Sequence, residues 1–315
     1  MKIVVTDGFT LNPGDISWQQ IAALGELTVY DRTPAELIYE RCKNADIILA
    51  NKVPFTKETI AKLTQLKLIS VLATGYNVID TAAAKENNIT VCNVPAYGTA
   101  SVAQHTIALL LELSNRIGVH SISVADGDWV TAKDWSYTKA PVFELAGKTL
   151  GIIGFGNIGK RVASIADTLG MKILYNSILD KHVLNCIYAN IETVFASSDI
   201  VSLHCPLTAG NTGFVNNKLL ALMKPSAFII NTARGQLINE QDLANALNKN
   251  IIAGAALDVL SLEPPKADNP LLAAKNCIIT PHNAWISKEA RERIMLTTAE
   301  NIKAFFSGTP ANRIV

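Results

Sequence analysis

Three side chains that suit acid–base chemistry on a small carboxylate follow three successive apolar runs: Arg234, Glu263 and His282. An arginine binds a carboxylate through two parallel N–H groups, and a histidine donates a proton near neutral pH. A carboxylate beside that histidine orients the imidazole and favours its protonated form. Taken singly, each residue is also compatible with a surface charge or a structural role. Their joint placement predicts that Arg234 holds the carboxylate of a 2-oxo acid while His282, paired with Glu263, protonates the C2 oxygen.

A glycine loop earlier in the chain predicts a bound dinucleotide. The loop Gly154-Phe155-Gly156-Asn157-Ile158-Gly159 follows an apolar run and opens a helical pattern. In that context the glycines permit a tight turn, close approach of the backbone to a pyrophosphate and close packing of helix on strand. A dinucleotide beside an acid–base pair predicts hydride transfer.

The residue expected to bind the adenosine ribose departs from the usual acid. Where a carboxylate is typical of NAD sites, the chain has Asn176, with Asp180, Lys181 and His182 a little further on. An asparagine hydrogen-bonds a ribose hydroxyl without repelling a 2′-phosphate, yet no arginine is at hand to bind that phosphate. NAD is therefore the expected coenzyme, and NADP is not excluded.

The elements that must position these residues are short Ile- and Val-rich runs alternating with helical patterns, which is typical of βαβ units in an α/β fold. The predicted strands of the first third are Lys2–Thr6, Glu26–Tyr30, Asp46–Ala50, Lys67–Leu72 and Ile89–Cys92. Those of the remainder are Thr149–Ile153, Met171–Tyr175, Asp199–Leu203, Ala227–Ile230, Ala253–Val259 and Cys277–Thr280. Because ligands bind beyond the carboxyl ends of parallel strands, the candidate residues fall at one edge of a sheet.

The order of these elements predicts two doubly wound parallel-sheet domains. Ser101-Val102-Ala103-Gln104 resembles a capping box that opens a long apolar helix leading into the second domain, and a final helix over 287–306 returns to the first. We expect a flavodoxin-like domain of residues 1–98 and 287–315, with a Rossmann domain of residues 99–286 inserted into it. His105 and His120, in or after the connecting helix, are expected to have packing or surface roles.

Composition disfavours several other classes of protein. The 315 residues carry a formal net charge of +1 with Lys and Arg scattered, so no face for nucleic acid or an anionic membrane is expected. The five cysteines are odd in number and contain no C-x-x-C pair, which argues against a disulfide framework or a metal site. No secretory leader is recognisable, and no apolar stretch approaches the roughly 20 residues of a membrane span. We expect a cytoplasmic protein whose partner is a small molecule.

Several segments together resemble the D-isomer-specific 2-hydroxyacid dehydrogenase family along nearly the whole chain. They are Leu150–Gly159, Asn231-Thr232-Ala233-Arg234-Gly235, Leu257-Asp258-Val259 with Glu263-Pro264, and Pro281-His282. The resemblance implies that Arg234 binds substrate and that Glu263 and His282 form the acid–base pair. It assigns the backbone of Ala73-Thr74-Gly75 to the substrate carboxylate, in a loop where the family's usual Asp is Asn77 here. The coenzyme-contacting positions are Val102, Gly154, Phe155, Gly156, Asn157, Ile158, Gly159, Asn176, His204, Cys205, Pro206, Thr212, Thr232, Ala233 and Asp258.

The resemblance also implies a homodimer formed through the coenzyme domains, with residues 129–143 as an arm. Within the family, the segments 93–106 and around Trp135 are most similar to the glycerate dehydrogenases, or hydroxypyruvate reductases. D-3-phosphoglycerate dehydrogenase and other D-2-hydroxyacid dehydrogenases are alternatives. From a different class, the nucleotide-sensing corepressors share a similar core, although they generally carry partner-binding extensions. Formate dehydrogenase pairs its histidine with a glutamine, so Glu263 argues against that activity.

Overall fold

The computed structural model describes residues 1–315 and divides into two compact units. The terminal unit comprises Met1–Gly98 and Trp285–Val315, and the inserted unit comprises Thr99–Ala284. The sequence-based division placed the second crossover after residue 286, whereas the inserted unit ends at Ala284.

The terminal unit is a five-stranded parallel sheet with the strand order β2-β1-β3-β4-β5. Its strands are β1 (Lys2–Val5), β2 (Glu26–Val29), β3 (Ile47–Ala50), β4 (Leu68–Val71) and β5 (Thr90–Cys92). Its helices are α1 (Gln19–Ala22), α2 (Ile38–Cys42), α3 (Lys57–Lys62), α4 (Thr81–Glu86) and α11 (Lys288–Phe306), with a 3-10 turn at Ala35–Leu37. This order is the flavodoxin-like one: β2 is added on one side of β1, and β3, β4 and β5 are added in turn on the other side.

Both faces of this sheet are covered, which explains why its central strands are apolar without alternation. Every residue of β3 and β4 is buried. On one face, Ile294 and Ile302 of α11 pack with Ile3 and Leu68 in a single core cluster. The last helix of the chain is therefore part of the core that the first strand begins.

The inserted unit is a seven-stranded parallel sheet with the order β12-β11-β10-β9-β6-β7-β8. Its strands are β6 (Thr149–Ile153), β7 (Lys172–Asn176), β8 (Cys186–Tyr188), β9 (Ile200–Leu203), β10 (Phe228–Asn231), β11 (Gly254–Leu257) and β12 (Cys277–Ile279). Its helices are α5 (Thr99–Asn115), α6 (Ile117–Ala125), α7 (Asn157–Thr168), α8 (Ile191–Ser197), α9 (Asn217–Leu220) and α10 (Glu240–Asn248), with 3-10 turns at Gly235–Leu237 and Pro270–Ala273. Counted from β6, the first six strands follow the Rossmann order, and β12 extends the sheet.

Three local features differ from the sequence-based expectations. The prediction of a capping box at Ser101 is wrong, because α5 already begins at Thr99. The Ser101 hydroxyl instead donates to the carbonyl oxygen of Ala284 at 2.7 Å. The strand β8 and the helix α6 were also not predicted. β8 has only three residues at the sheet edge, two of them exposed, so its sequence lacks the apolar run that identified the other strands.

Candidate active site

The glycine loop lies between β6 and α7 and is shaped to approach a ligand. Gly154 has a φ of +96°, and a Cβ there would lie 2.4 Å from the backbone nitrogen of Cys205. A Cβ on Gly159 would lie 2.2 Å from the carbonyl oxygen of Gly154, whereas one on Gly156 would meet nothing within 4 Å. The first and third glycines are thus required by packing, and the second borders open space at the N-terminus of α7. These residues fit a dinucleotide pyrophosphate at a helix N-terminus.

Other residues of the loop divide between exposed and buried positions. Asn157 is exposed and begins α7, and Ile158 is half-buried. The ring of Phe155 is buried and stacks on Tyr175 with 4.0 Å between centroids. The side chain of Phe155 therefore supports the sheet, and only its backbone is available to a coenzyme.

At the end of β7, one of the two polar groups of the Asn176 side chain is hydrogen-bonded within the protein. Its Nδ2 donates to the carbonyl oxygen of Ala189 at 2.8 Å, which leaves its Oδ1 to accept a hydrogen bond. The Asp180 carboxylate accepts from the Tyr175 hydroxyl and from the backbone nitrogen of His182. Lys181 and His182 are exposed. No carboxylate occupies the position typical of a strict NAD site.

His204 follows β9 and packs against the glycine loop, since its carbonyl carbon would lie 2.5 Å from a Cβ on Gly154. The His204 Nε2 lies 2.8 Å from the Ser202 hydroxyl oxygen. Burial lowers the pKa of this imidazole from 6.5 to about 4. His204 is therefore neutral near pH 7 and adds no positive charge beside the loop.

This lowered pKa predicts acid sensitivity of the fold. Between pH 6.5 and about 4 the unfolded chain binds a proton at His204 that the folded chain does not, so the free energy of unfolding falls as pH decreases through this window. The full effect of such a shift is at most about 3 kcal/mol. We expect a His204→Gln variant to lose stability less steeply below pH 6.5, measured as urea midpoints from pH 7 to 4. His182→Gln, at a side chain 86% exposed, should retain the wild-type slope; equal slopes for the wild type and His204→Gln would contradict the prediction.

Arg234 extends from the loop that follows β10. The side-chain amide of Asn231 fixes this loop, since its Nδ2 donates to the carbonyl oxygen of Arg234 at 2.9 Å and its Oδ1 accepts from the nitrogen of Ala233 at 3.0 Å. The Arg234 guanidinium is exposed, donates from Nη1 to the carbonyl oxygen of Ala233 at 2.7 Å and forms no ion pair within 4.0 Å. Most of its N–H groups are therefore available to an external carboxylate.

Gly235 brings the Arg234 loop against the loop that leads to Glu263. A Cβ on Gly235 would lie 1.9 Å from the carbonyl carbon of Leu260 and 2.4 Å from the nitrogen of Ser261. The side chain of Gln236 adds a hydrogen bond from Nε2 to the carbonyl oxygen of Ser261 at 2.8 Å. The loops after β10 and β11 are thus held together.

Because the atoms that a Cβ would strike belong to the backbone, Gly235→Ala should be severely disruptive. We expect it to destabilise the chain by about 3 kcal/mol or more and to displace Arg234 or Glu263. Thermal unfolding would measure the loss. Gly210→Ala is the matched control, since a Cβ at Gly210 would meet nothing within 4 Å. A Gly235→Ala chain as stable as this control would refute the close contact.

Glu263 and His282 form a hydrogen-bonded pair beyond β11 and β12. The His282 Nδ1 lies 2.6 Å from Glu263 Oε2, and the backbone nitrogen of Leu260 donates to Glu263 Oε1 at 3.0 Å. The side chain of His282 is 30% exposed and that of Glu263 is 35% exposed. With Nδ1 bound to the carboxylate, Nε2 is the nitrogen left to exchange a proton with a ligand. The structure therefore brings together the two residues that the sequence paired.

Asp258 is 1% exposed and binds the segment that carries His282. Its Oδ1 accepts from the nitrogen of Asn283 and its Oδ2 from the nitrogen of Ala284, both at 3.0 Å. Its carbonyl oxygen accepts from the nitrogen of His282 at 2.8 Å. The carboxylate is thus occupied by the protein's own donors, and the expected coenzyme contact of Asp258 stays a prediction.

The other expected coenzyme residues are distributed over the same unit. Val102 and Thr232 are buried, and the Thr232 hydroxyl lies 2.9 Å from that of Thr106 on α5. Ala233 and Cys205 are half-buried, and Pro206 and Thr212 are exposed. Asn283 was not among the expected coenzyme residues. Its side-chain oxygen Oδ1 is buried and accepts no hydrogen bond from the protein. A buried acceptor without a donor at this position fits a polar ligand group.

The Ala73–Gly75 loop follows β4 in the terminal unit. Asn93 and Val94 fix it: Asn93 Nδ2 donates to the carbonyl oxygen of Thr74, and the Thr74 hydroxyl to that of Val94, both at 2.8 Å. The backbone N–H groups of Thr74, Gly75 and Tyr76 donate to no acceptor in the chain. Consecutive unused N–H groups in a loop can hydrogen-bond an anion.

Two further residues, His105 and Thr280, lie beside the buried carboxylate of Asp258, and the sequence did not predict these contacts. The His105 Nε2 lies 3.1 Å from the Thr280 hydroxyl oxygen, which is itself bound to Asp258. Helical periodicity alone placed His105 near core positions of α5, and only the fold shows which strand ends this face meets.

No helix is long and apolar enough to cross a membrane, and no group of three His, Cys, Asp or Glu side chains is arranged to hold a metal ion.

The chain is similar to several known proteins over most of its length. Residues 107–284 match the model of the D-isomer specific 2-hydroxyacid dehydrogenase NAD binding domain. The chain is 48% identical over 318 residues to a hydroxypyruvate reductase of Blautia hydrogenotrophica, covering 99% of both chains. It is 42% identical to a glycerate dehydrogenase of Methylorubrum extorquens, covering 89% of this chain and 88% of the relative. The solved structure of an acyclic imino acid reductase in complex with NADPH and D-Arg superposes with a TM-score of 0.88 at 35% identity, covering 100% of both chains.

These matches confirm the predicted fold class, family and dinucleotide coenzyme. A NAD(P)-binding Rossmann unit, a match to the family model over more than half of the chain and full-length relatives well above 30% identity agree with one another. The chain belongs to the D-isomer specific 2-hydroxyacid dehydrogenase family of NAD(P)-dependent oxidoreductases that act on CH–OH groups.

Proposed function

We propose that this chain reduces hydroxypyruvate to D-glycerate with NADH and catalyses the reverse oxidation. The hydrogen bond between His282 and Glu263, in the same unit as the dinucleotide loop, is the observation that carries the reaction type. The similarity to a hydroxypyruvate reductase and a glycerate dehydrogenase supports this substrate over other 2-oxo acids.

In the proposed reaction, Arg234 binds the substrate carboxylate through its fork of N–H groups. A bound nicotinamide would supply the hydride that reaches C2 of the 2-oxo acid. His282, protonated and oriented by Glu263, gives the proton on Nε2 to the C2 oxygen, so that C=O becomes CH–OH. The Glu263 carboxylate stabilises the imidazolium before this transfer, and in the oxidative direction the neutral imidazole takes the proton back.

We assign the backbone of Ala73, Thr74 and Gly75 to the substrate carboxylate as well. The unused N–H groups of Thr74 and Gly75 support this assignment, because they offer hydrogen bonds without adding a net charge. Asn77, in place of the Asp usual in the family, leaves the loop without that acidic side chain.

NADH is the proposed coenzyme. The residues that would hold it are the glycine loop Gly154–Gly159, Asn176 through its Oδ1, His204, Cys205, Pro206, Thr212, Val102 and Thr232, with Ala233 and Asp258 near the nicotinamide. The lack of an arginine after β7 favours NADH, since a 2′-phosphate is bound best by a guanidinium.

The proposed assembly is a homodimer. Support comes from exposed apolar side chains on α6 and in the segment that follows it, among them Ile117 at 62%, Ile122 at 64% and Trp135 at 89% exposure. Such a patch is typical of an interface.

A cytoplasmic location is proposed because all five cysteines are free thiols.

A substrate and coenzyme panel tests the proposed function. Hydroxypyruvate, glyoxylate, pyruvate and 3-phosphohydroxypyruvate should be compared, each with NADH and with NADPH, by the loss of nicotinamide absorbance. The proposal expects the highest kcat/KM for hydroxypyruvate with NADH. A preference for the phosphorylated acid would assign the phosphoglycerate reaction instead, and tight NADH binding without turnover of any acid would favour a nucleotide-sensing protein.

A further inference from the structure

The first two turns of α5 contact both loops that carry the proposed catalytic side chains. The Ser101 hydroxyl binds the carbonyl oxygen of Ala284, close to His282 in the chain, and the Thr106 hydroxyl binds Thr232, close to Arg234. Residues four apart on a helix lie on one face, so His105 lies beside Ser101 and points the same way. Its ring is 22% exposed and binds the hydroxyl of Thr280.

The direction of the hydrogen bonds at Thr280 follows from the number of protons available. The Thr280 hydroxyl has a single proton and donates it to Asp258 Oδ1 at 2.6 Å. Its oxygen must therefore accept from His105 Nε2–H, over 3.1 Å. The same Nε2 lies 3.5 Å from Asp258 Oδ1, and His105 is the one basic side chain within 4.0 Å of this buried carboxylate.

Asp258 in turn fixes the orientation of His282. Its carboxylate binds the backbone nitrogens of Asn283 and Ala284, and its carbonyl oxygen binds that of His282. His282 has a φ of +51°, in the left-handed region that non-glycine residues seldom adopt. Such a conformation persists where surrounding bonds determine it, and here those bonds converge on Asp258.

We propose that His105 is a positioning residue for His282, acting through Thr280 and Asp258. This inference rests on the proposed function of His282 as the proton donor. His105 donates to Thr280 and places a basic group beside a buried carboxylate that otherwise has only neutral donors. The Asp258 carboxylate then stays bound to the segment 282–284, and the imidazole of His282 stays aligned with Glu263.

The titratable groups of this cluster lie on three elements: His105 on α5, Asp258 and Glu263 after β11, and His282 after β12. When His105 is replaced by an apolar residue, the alignment of His282 with Glu263 should weaken, so the imidazolium is less favoured. The basic limb of the pH profile for reduction should move to lower pH.

Two variants of His105 separate positioning from simple packing. His105→Leu fills the space without a donor, whereas His105→Gln places an amide N–H near the position of Nε2. In the full-length enzyme we expect His105→Leu to lower kcat by about tenfold, as loosened catalytic geometry does, with an unchanged KM for NADH and a basic limb about half a pH unit lower. His105→Gln should restore most of the kcat and return the basic limb most of the way to its wild-type pH. Wild-type kinetics in His105→Leu, or no recovery in His105→Gln, would overturn the proposal.

A spectroscopic measurement keeps this test separate from the proposed substrate. A hydrogen bond of 2.6 Å between His282 and Glu263 should give a downfield Nδ1 proton resonance in histidine-labelled protein, assigned by its loss in His282→Asn. The resonance should persist in His105→Gln and broaden or move upfield in His105→Leu, whether or not hydroxypyruvate is turned over. If His105→Leu fails to fold, Thr280→Val removes the link between His105 and Asp258 and should produce the same change, with Thr280→Ser as its matched control. An unaltered resonance in the folded variants would overturn the proposal.

Discussion

A His282→Asn enzyme should reduce hydroxypyruvate with a kcat about a thousandfold below that of the wild type, since general acid catalysis contributes roughly 10² to 10⁴. Asparagine is the appropriate replacement because it tolerates the positive φ of +51° at this position, so the backbone bonds to Asp258 are retained. Steady-state reduction of hydroxypyruvate with NADH measures the effect.

Binding of NADH is the control for His282→Asn, because the variant changes no group of the glycine loop. The dissociation constant from nicotinamide fluorescence and the melting temperature should both match the wild type. Turnover within tenfold of the wild type would show that another group or water supplies the proton, and the assignment of His282 would then be wrong.

The second large effect is expected at Arg234. Replacement by glutamine removes the charge and the planar fork that bind the substrate carboxylate, and hydrogen bonds to charged groups contribute about 1.5–3 kcal/mol each. Two such bonds correspond to a loss of about 10³ in kcat/KM, most of it through KM. Kinetics at hydroxypyruvate concentrations well above and below the wild-type KM would separate the two parameters.

A graded series makes this prediction specific. Arg234→Lys keeps the charge without the fork and should fall between the wild type and Arg234→Gln. The matched control is Arg41→Gln, because Arg41 lies on α2 of the terminal unit and stacks on Tyr30. If Arg234→Gln and Arg41→Gln have equal kcat/KM, the carboxylate is bound by other groups.

Much of this site was predictable because strand ends and a glycine loop leave local signals in a sequence. The glycines at 154, 156 and 159 appear at fixed spacing after an apolar run, and Gly154 and Gly159 have the packing roles that this spacing predicts. Arg234, Glu263 and His282 were found because the carboxyl ends of parallel strands share one edge of a sheet. The pairing of Glu263 with His282 was an inference from chemistry, and the hydrogen bond between them agrees with it.

The parts that escaped prediction depend on contacts between residues far apart in the chain. Ser101 has the sequence pattern of a helix cap, yet its hydroxyl binds Ala284, which no local pattern predicts. The link from His105 through Thr280 to Asp258 joins residues more than 150 positions apart and has no sequence motif. The contact of Gly235 with Leu260 likewise has no recognisable sequence signal, because a glycine in a loop is expected for many reasons.

The arrangement of the terminal unit has a consequence for synthesis on the ribosome. Ile3 and Val5 of β1 share a core with Ile294 and Ile302 of α11, and the whole inserted unit is translated between them. Domains generally fold as they emerge, so the inserted unit can complete its own sheet while one face of the first sheet still lacks its covering helix. Nascent chains stalled before α11 should therefore present an apolar face to chaperones, and release of that helix should end their retention.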